Sequence, residues 1–325
     1  MSKTVSSILS ELNSLSHLQI LVVGDIMLDE FHWCNVQRIS PEAPVPVCSV
    51  KKTTLAPGGA ANVAANLAAL NVSVDLLGFI GSDSSGQKLR HVLSKHNITT
   101  DLLIETDQPT ILKSRIIAHQ QHVARLDREP GDAYSKEYGE HLLESIKNTI
   151  FKYQAIVISD YLKGLLTPEI TESIIQYAKK AGCLIVVDPK GPNYDKYTYA
   201  DFITPNYSEF CLATKNTYDD EAALESAAHR LCNDLHLEAL IITRSEKGMS
   251  IVTDTSFETI PTQAREVFDI TGAGDTAIAT LAIGLCLDLS PKEAAILANH
   301  AAGIVVSKIG TAFVKPEELL KTLNS

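Results

Sequence analysis

Short apolar runs alternate along this chain with longer segments of helical character. Ile20–Gly24, Val74–Ile80, Ala155–Ser159, Leu184–Asp188 and Ala239–Thr243 have strand length and run into Gly, Ser, Asp or Thr. Between them Ala60–Leu70, Ser84–His96, Ser135–Ile150, Pro168–Ala181 and Glu221–Leu235 read as helices. That order predicts an α/β fold of βαβ units, with a mostly parallel sheet covered by helices on both faces. Ligands of such sheets sit at the carboxyl ends of the strands, so residues just after each run are the first candidates for chemistry.

Two regions break the alternation. Phe31–Thr54 carries Pro41, Pro44 and Pro46 between alternating stretches, and Ile111–Arg125 alternates polar and apolar residues. Both predict antiparallel strands outside the parallel core, forming a small β lid inserted at about 31–54 and 108–126; surface hairpins without function are the other reading. The last third reads as helices Ala273–Leu285 and Pro291–Ser307, the second opened by Ser290 as N-cap with Glu293 as capping-box partner. No repeat or flexible linker divides residues 1–325, which predicts one domain plus the lid.

A formal net charge of −11 argues against nucleic-acid binding, which needs a basic surface. No run approaches the ~20 apolar residues of a membrane span, and the start lacks a signal-peptide pattern, so a cytoplasmic protein is expected. The six cysteines are scattered without a Cys-x-x-Cys pair and read as reduced thiols.

Thr271-Gly272-Ala273-Gly274-Asp275 opens a run of small apolar residues. Glycines at 272 and 274 let successive N–H groups point into one space, where the following helix adds its positive end: a cradle for phosphoryl oxygens. Asp275 would then accept the proton of an attacking hydroxyl. A packing or capping turn has the same spelling. Gly272–Ala277 also fits Gly-x-Gly-x-x-Ala, but a helix follows where that dinucleotide motif needs a strand. Gly81–Lys88 misses a P-loop, because Gln87 holds the lysine position. Gly58 and Gly59 allow close backbone approach, and Asn62 offers a donor and an acceptor to sugar hydroxyls; Asp29, after the first strand, offers a carboxylate. Asn206 and Glu209 share a helix face and can organise Mg²⁺ with its waters, or equally form a capping box.

Together, Pro57–Asn62 and Gly272–Asp275 resemble the two signatures of the pfkB/ribokinase family of carbohydrate kinases, over essentially the whole chain. Val22–Asp29, Arg38–Val47, Pro57–Ala64, Arg125–Glu129 and Ser159-Asp160-Tyr161 are most similar to the family's D-glycero-β-D-manno-heptose 7-phosphate kinases. The resemblance implies a ribokinase-like three-layer sandwich using ATP and Mg²⁺. It implies Asp275 as base and the amides of Gly272, Ala273 and Gly274 as anion hole. Asp29, Gly58, Gly59, Asn62 and Asp160 fall on the sugar side. On the nucleotide side fall Lys190, Asn206, Tyr207, Ser208, Glu209, Thr243, Ser245, Gly248, Asn299 and Gly303, with Asn206 and Glu209 serving the metal. Ser245 stands where the family's nucleotide loop has glycine. The lid would pair two subunits as a homodimer.

A 7-phosphate demands cations, for which Lys113, Arg115, Arg125 and Lys163 are candidates. His119 and His122 would face opposite sides of a strand and make no metal pair. The implied reaction is phosphorylation of the anomeric hydroxyl to the 1,7-bisphosphate, for lipopolysaccharide heptose (ADP-heptose) synthesis. The chain to Ser325 contains no His-x-Gly-His motif, so the bisphosphate and not the ADP-sugar is expected. A kinase for another sugar or nucleoside, or a non-catalytic sugar- or nucleotide-binding regulator, remain the alternatives.

Overall fold

A computed structural model describes residues 15–119, 121–131, 133–264, 267–308, 310 and 312–323; Gln120, within the second lid region, lies outside them. Strands β1 (Gln19–Gly24), β2 (Ile26–Ile39), β3 (Pro46–Gly59), β4 (Ser73–Gly81) and β5 (Leu103–Thr106) come first. They are followed by β6 (Ile111–Ala118), β7 (Gln121–Arg128), β8 (Ala155–Ser159), β9 (Leu184–Asp188) and β10 (Phe202–Ile203), then β11 (Ala239–Thr243), β12 (Met249–Val252) and β13 (Phe257–Ile260). Nine of them form one sheet in the order β13-β12-β11-β10-β9-β8-β1-β4-β5, parallel except for the antiparallel pairs made by β12 and β13.

The alternation of β1 shows why three layers form. Ile20 and Val22 pack with the helices Ala60–Ala69, Ala273–Cys286 and Pro291–Val306, while Leu21 and Val23 pack with Lys136–Thr149, Pro168–Ala181 and Glu221–Asp234. A strand covered on both faces must be apolar at every position, which is why these strands read as unbroken runs. The fold is a three-layer α/β sandwich, as the resemblance implied.

β1 pairs β4 on one edge and β8 on the other, so the chain order reverses there and opens a crevice at the carboxyl ends. Gly24-Asp25, Ser159-Asp160-Tyr161, Asp188 and Thr243 end strands on that edge.

Four strands form the second sheet, ordered β3-β2-β6-β7. It is not wholly antiparallel as expected: β2 pairs β6 in parallel, from Met27–Ile111 to Cys34–Ala118. The cause is topological. These strands belong to different insertions, and the chain crosses β4 and β5 between them, so it returns in the same direction. His119 lies past the end of β6, in a left-handed turn (φ 50°), and not on a strand. All six cysteines are free.

Candidate active site

Gly272 caps the helix Ala273–Cys286 with φ 79°, a left-handed conformation that glycine takes without strain. A Cβ there would also stand 2.8 Å from Asn62 Nδ2. The first turn of a helix leaves its N–H groups without acceptors, and Gly274 and Asp275 fall in that turn. The amide of Ala273, by contrast, donates to the carbonyl of Ile270 at 3.2 Å.

Asp275 is buried and receives two hydrogen bonds: Asn62 Nδ2 donates to Oδ2 at 2.6 Å, and the Tyr161 hydroxyl donates to Oδ1 at 2.8 Å. Burial pushes its carboxyl up to about 6, against the lowering effect of those two bonds. Such a group is ionised at neutral pH and still basic enough to take a proton, the range suited to a general base. Asn62 is itself buried, and its Oδ1 has no partner among the described residues.

Two cavities meet at this turn, sharing Thr243, Met249, Gly274 and Ala277 in their walls. One holds Asp160, Tyr161, Asp188, Lys190, Asn206, Glu209, Gly272 and Asp275. The other is more apolar and holds Ser245, Gly248, Ala273, Asn299 and Gly303. Ser245 adopts the left-handed conformation that glycine would favour (φ 51°). Asn299 Nδ2 donates to the Pro261 carbonyl at 2.7 Å, bracing the loop beside Gly303.

Asn206 and Glu209 form the complete capping box of the helix Tyr207–Thr214, with bonds of 2.9 and 3.0 Å. Glu209 also pairs with Lys190. Tyr207 turns its hydroxyl to the Tyr218 carbonyl, and neither it nor Ser208 lines either of these two cavities. Among the described residues no group of three or more His, Cys, Asp or Glu is built to hold a metal. The carboxylates of Asp188 and Glu209 in one cavity fit Mg²⁺ that arrives with phosphates and waters, the usual habit of that ion. Burial, with Asp275 and Glu209 nearby, raises the Asp188 carboxyl well above its ordinary range.

On the lid side, Asp29 is buried and its Oδ1 meets Arg115 at 2.5 Å, while Arg115 lies 5.2 Å from the Phe31 ring centre. Burial, opposed chiefly by Arg115, leaves the Asp29 carboxyl raised. Gly58 makes room for that carboxylate: a Cβ would fall 2.7 Å from Asp29 Oδ2. Gly59 ends β3 immediately before the helix carrying Asn62. Lys113 and Lys163 share Glu129, at 3.3 and 2.7 Å, and Lys113 and Arg125 share Asp127. Asp160 is less free than a ligand-binding carboxylate would be. Its Oδ2 takes Lys196 at 2.5 Å and the Tyr197 hydroxyl at 2.7 Å, and its Oδ1 the Leu162 amide at 2.8 Å.

Tyr161 and Asp188 line the first cavity, and the motif reading did not select them. Asp188 ends β9 and Tyr161 stands two residues past β8, and that placement is the signal that could have found them.

The profile of the pfkB family carbohydrate kinases matches residues 18–318. The bifunctional protein HldE of Geotalea uraniireducens is 44% identical over 305 residues, covering 93% of this chain and 62% of that protein. HldE of Sulfurimonas denitrificans is 42% identical over 302 residues, covering 93% and 63%. The chain thus spans less than two thirds of the length of these relatives. Among solved structures, Arabidopsis thaliana ribokinase complexed with ribose and ATP superposes with a TM-score of 0.74 at 20% identity, covering 95% of this chain and 99% of that one. Escherichia coli phosphofructokinase-2 in complex with potassium gives 0.79 at 18%, covering 94% and 98%.

Proposed function

The chain belongs to the pfkB family of carbohydrate kinases, and from that premise we propose that it transfers the γ-phosphoryl group of ATP to the anomeric hydroxyl of D-glycero-β-D-manno-heptose 7-phosphate. The product is the 1,7-bisphosphate, an intermediate for ADP-heptose and lipopolysaccharide synthesis. One observation carries the chemistry: Asp275, held by Asn62 and Tyr161, stands beside a glycine turn at which two cavities join.

In this reading the sugar lies under the lid, against Asp29, Asn62 and Gly58, and ATP fills the cavity of Gly248, Asn299 and Gly303. The anomeric oxygen attacks the γ-phosphorus as its proton passes to Asp275. Each Asp275 oxygen keeps a lone pair beyond the bond it already accepts. The free amides of the first helical turn face the phosphoryl oxygens, and removing such a donor typically costs about 3 kcal/mol of barrier. Lys190 adds positive charge on the nucleotide side, and Mg²⁺, when bound, neutralises phosphate charge. The amide of Ala273 contributes less, being committed to Ile270.

The sugar rests on the resemblance of Val22–Asp29, Arg38–Val47 and Arg125–Glu129 to heptose kinases, and on relatives named HldE. Lys113 and Arg125 act on Asp29 through space and Lys163 shares Glu129 with Lys113; each is paired with Asp127 or Glu129, and a phosphate would take over those cations. Exposed Ile39, Val45, Val50, Val123 and Leu126 on the lid sheet and its connecting turn suit pairing with a second copy, in the cytoplasm where ATP is supplied. ADP release over a panel of heptose 7-phosphate, hexose phosphates, free sugars and nucleosides tests the reading; preference for an acceptor without a phosphate would sink the heptose phosphate.

A further inference from the structure

Asp25 stands at the switch point between β1 and β8, and the scheme above gives it no task. It is only 2% exposed. Its Oδ2 accepts the backbone amides of Tyr161 at 2.9 Å and Lys163 at 3.0 Å, while Oδ1 has no partner among the described residues. A buried carboxylate with an idle oxygen is costly, and a carboxamide could hold the same two amides without burying charge. What a carboxylate adds is strength, since a hydrogen bond to an ionised acceptor is about twice as strong as a neutral one.

Those bonds restrain a turn that needs restraint. Between the two anchored amides, Leu162 is left-handed at φ 54°, a conformation unfavourable for a branched side chain. Its own amide is held by Asp160. From this turn the Tyr161 hydroxyl reaches Asp275 Oδ1, and the Lys163 ammonium reaches Glu129.

We propose that Asp25 is a positioning residue: by gripping the amides of Tyr161 and Lys163 it fixes the strained turn at Leu162 and so keeps the Tyr161 hydroxyl on the oxygen of Asp275. The inference deepens the reading of Asp275 as the base and rests on it. Asp275 is faced by Asn62 from the helix Ala60–Ala69, Tyr161 after β8, Asp29 from β2, and Asp188 and Lys190 at and after the end of β9. Losing the Tyr161 bond removes a group that favours the carboxylate, so the Asp275 midpoint must rise. Deleting a negative charge at position 25 acts in the opposite direction through space. The sign of the shift therefore separates positioning from simple electrostatics.

The test is a carbon-detected NMR titration of the full chain with ¹³C-labelled aspartate, the Asp275 signal being assigned from Asp275→Asn. Tyr161→Phe is expected to raise the Asp275 midpoint by about one unit. Asp25→Ala should raise it in the same direction, with no further rise in the double variant. Asp25→Leu fills the space without offering an acceptor and gives the same readout should the alanine variant not fold. Asp25→Asn, whose carboxamide oxygen can take both amides though more weakly, should raise it less than Asp25→Ala does. A midpoint that is unmoved or lowered in Asp25→Ala or Asp25→Leu, or shifts that add with Tyr161→Phe, overturns the positioning role. Near-normal turnover of Asp275→Asn overturns the base reading instead, a result independent of the titration.

Discussion

Asn62 donates its side-chain amide to Oδ2 of Asp275 at 2.6 Å, joining residues 213 positions apart in the chain. One turn further along the first helix, Asn66 accepts a hydrogen bond at 2.8 Å from the hydroxyl of Thr276, the residue next to Asp275. The helix Ala60–Ala69 is thus fastened at two successive levels to the helix Ala273–Cys286. One of the two hydrogen bonds on Asp275 thus comes from a packed helix, the other from Tyr161 on the turn after β8.

Replacing Asp275 by Asn keeps the shape and both neighbours but removes the proton acceptor. Turnover is expected to fall about 10²–10⁴-fold, with ATP affinity by calorimetry unchanged within about twofold. A rate near that of the wild type would show that the proton goes elsewhere.

The carboxyl of Asp275 titrates at about 6, raised by burial, and it must be ionised to act. A plot of kcat/KM against pH should therefore be level above about 7 and fall tenfold per unit below about 6. An acid limb at 4, the range of an unburied aspartate, would contradict this.

Asp25 is also raised to about 6 from an ordinary 3.8. Between those values the folded chain binds more protons than the unfolded one, so stability falls as pH rises through this window and the loss is complete above it. Asp25→Asn should thus stabilise the protein at pH 8 by an amount on the order of 2 kcal/mol, and by almost nothing at pH 3.5. Denaturant titrations at the two pH values measure both; equal effects at both would refute the sign.

Ala at position 272 must adopt φ near 79° and place its methyl carbon 2.8 Å from Asn62 Nδ2. We expect about 1–3 kcal/mol of lost stability and a displaced Asn62 amide that slows turnover about 10²-fold. Urea unfolding and steady-state rates on the same preparation separate the two effects.

Chelation by EDTA should abolish turnover while leaving the melting temperature of the nucleotide-free protein unchanged. No described carboxylate group is arranged to need a metal for folding. A fall of several degrees on chelation would reveal a structural metal that this argument does not allow.

Strands β8, β9 and β11 are found where the apolar runs placed them, because a strand buried on both faces leaves no polar residue to blur its ends. The glycine turn at 272 and the capping box at Asn206 were equally legible, since backbone demands are local. The parallel pairing of β2 with β6 was not: alternation along a strand says which face is buried, never which neighbour it meets. Tyr161 escaped for a related reason. Nothing about a tyrosine after β8 announces a carboxylate 114 residues away, and only the assembled crevice brings the two together.

β3 ends at Gly59 and the helix carrying Asn62 begins at Ala60, with no loop between them. The four-stranded sheet and that helix therefore share a direct backbone junction. A tilt of the sheet swings the helix start like a crank, and with it the amide that steadies Asp275. In the proposed reading an acceptor beneath the sheet would bear on the same stretch of backbone that carries this amide, so its arrival would be read out at Asp275.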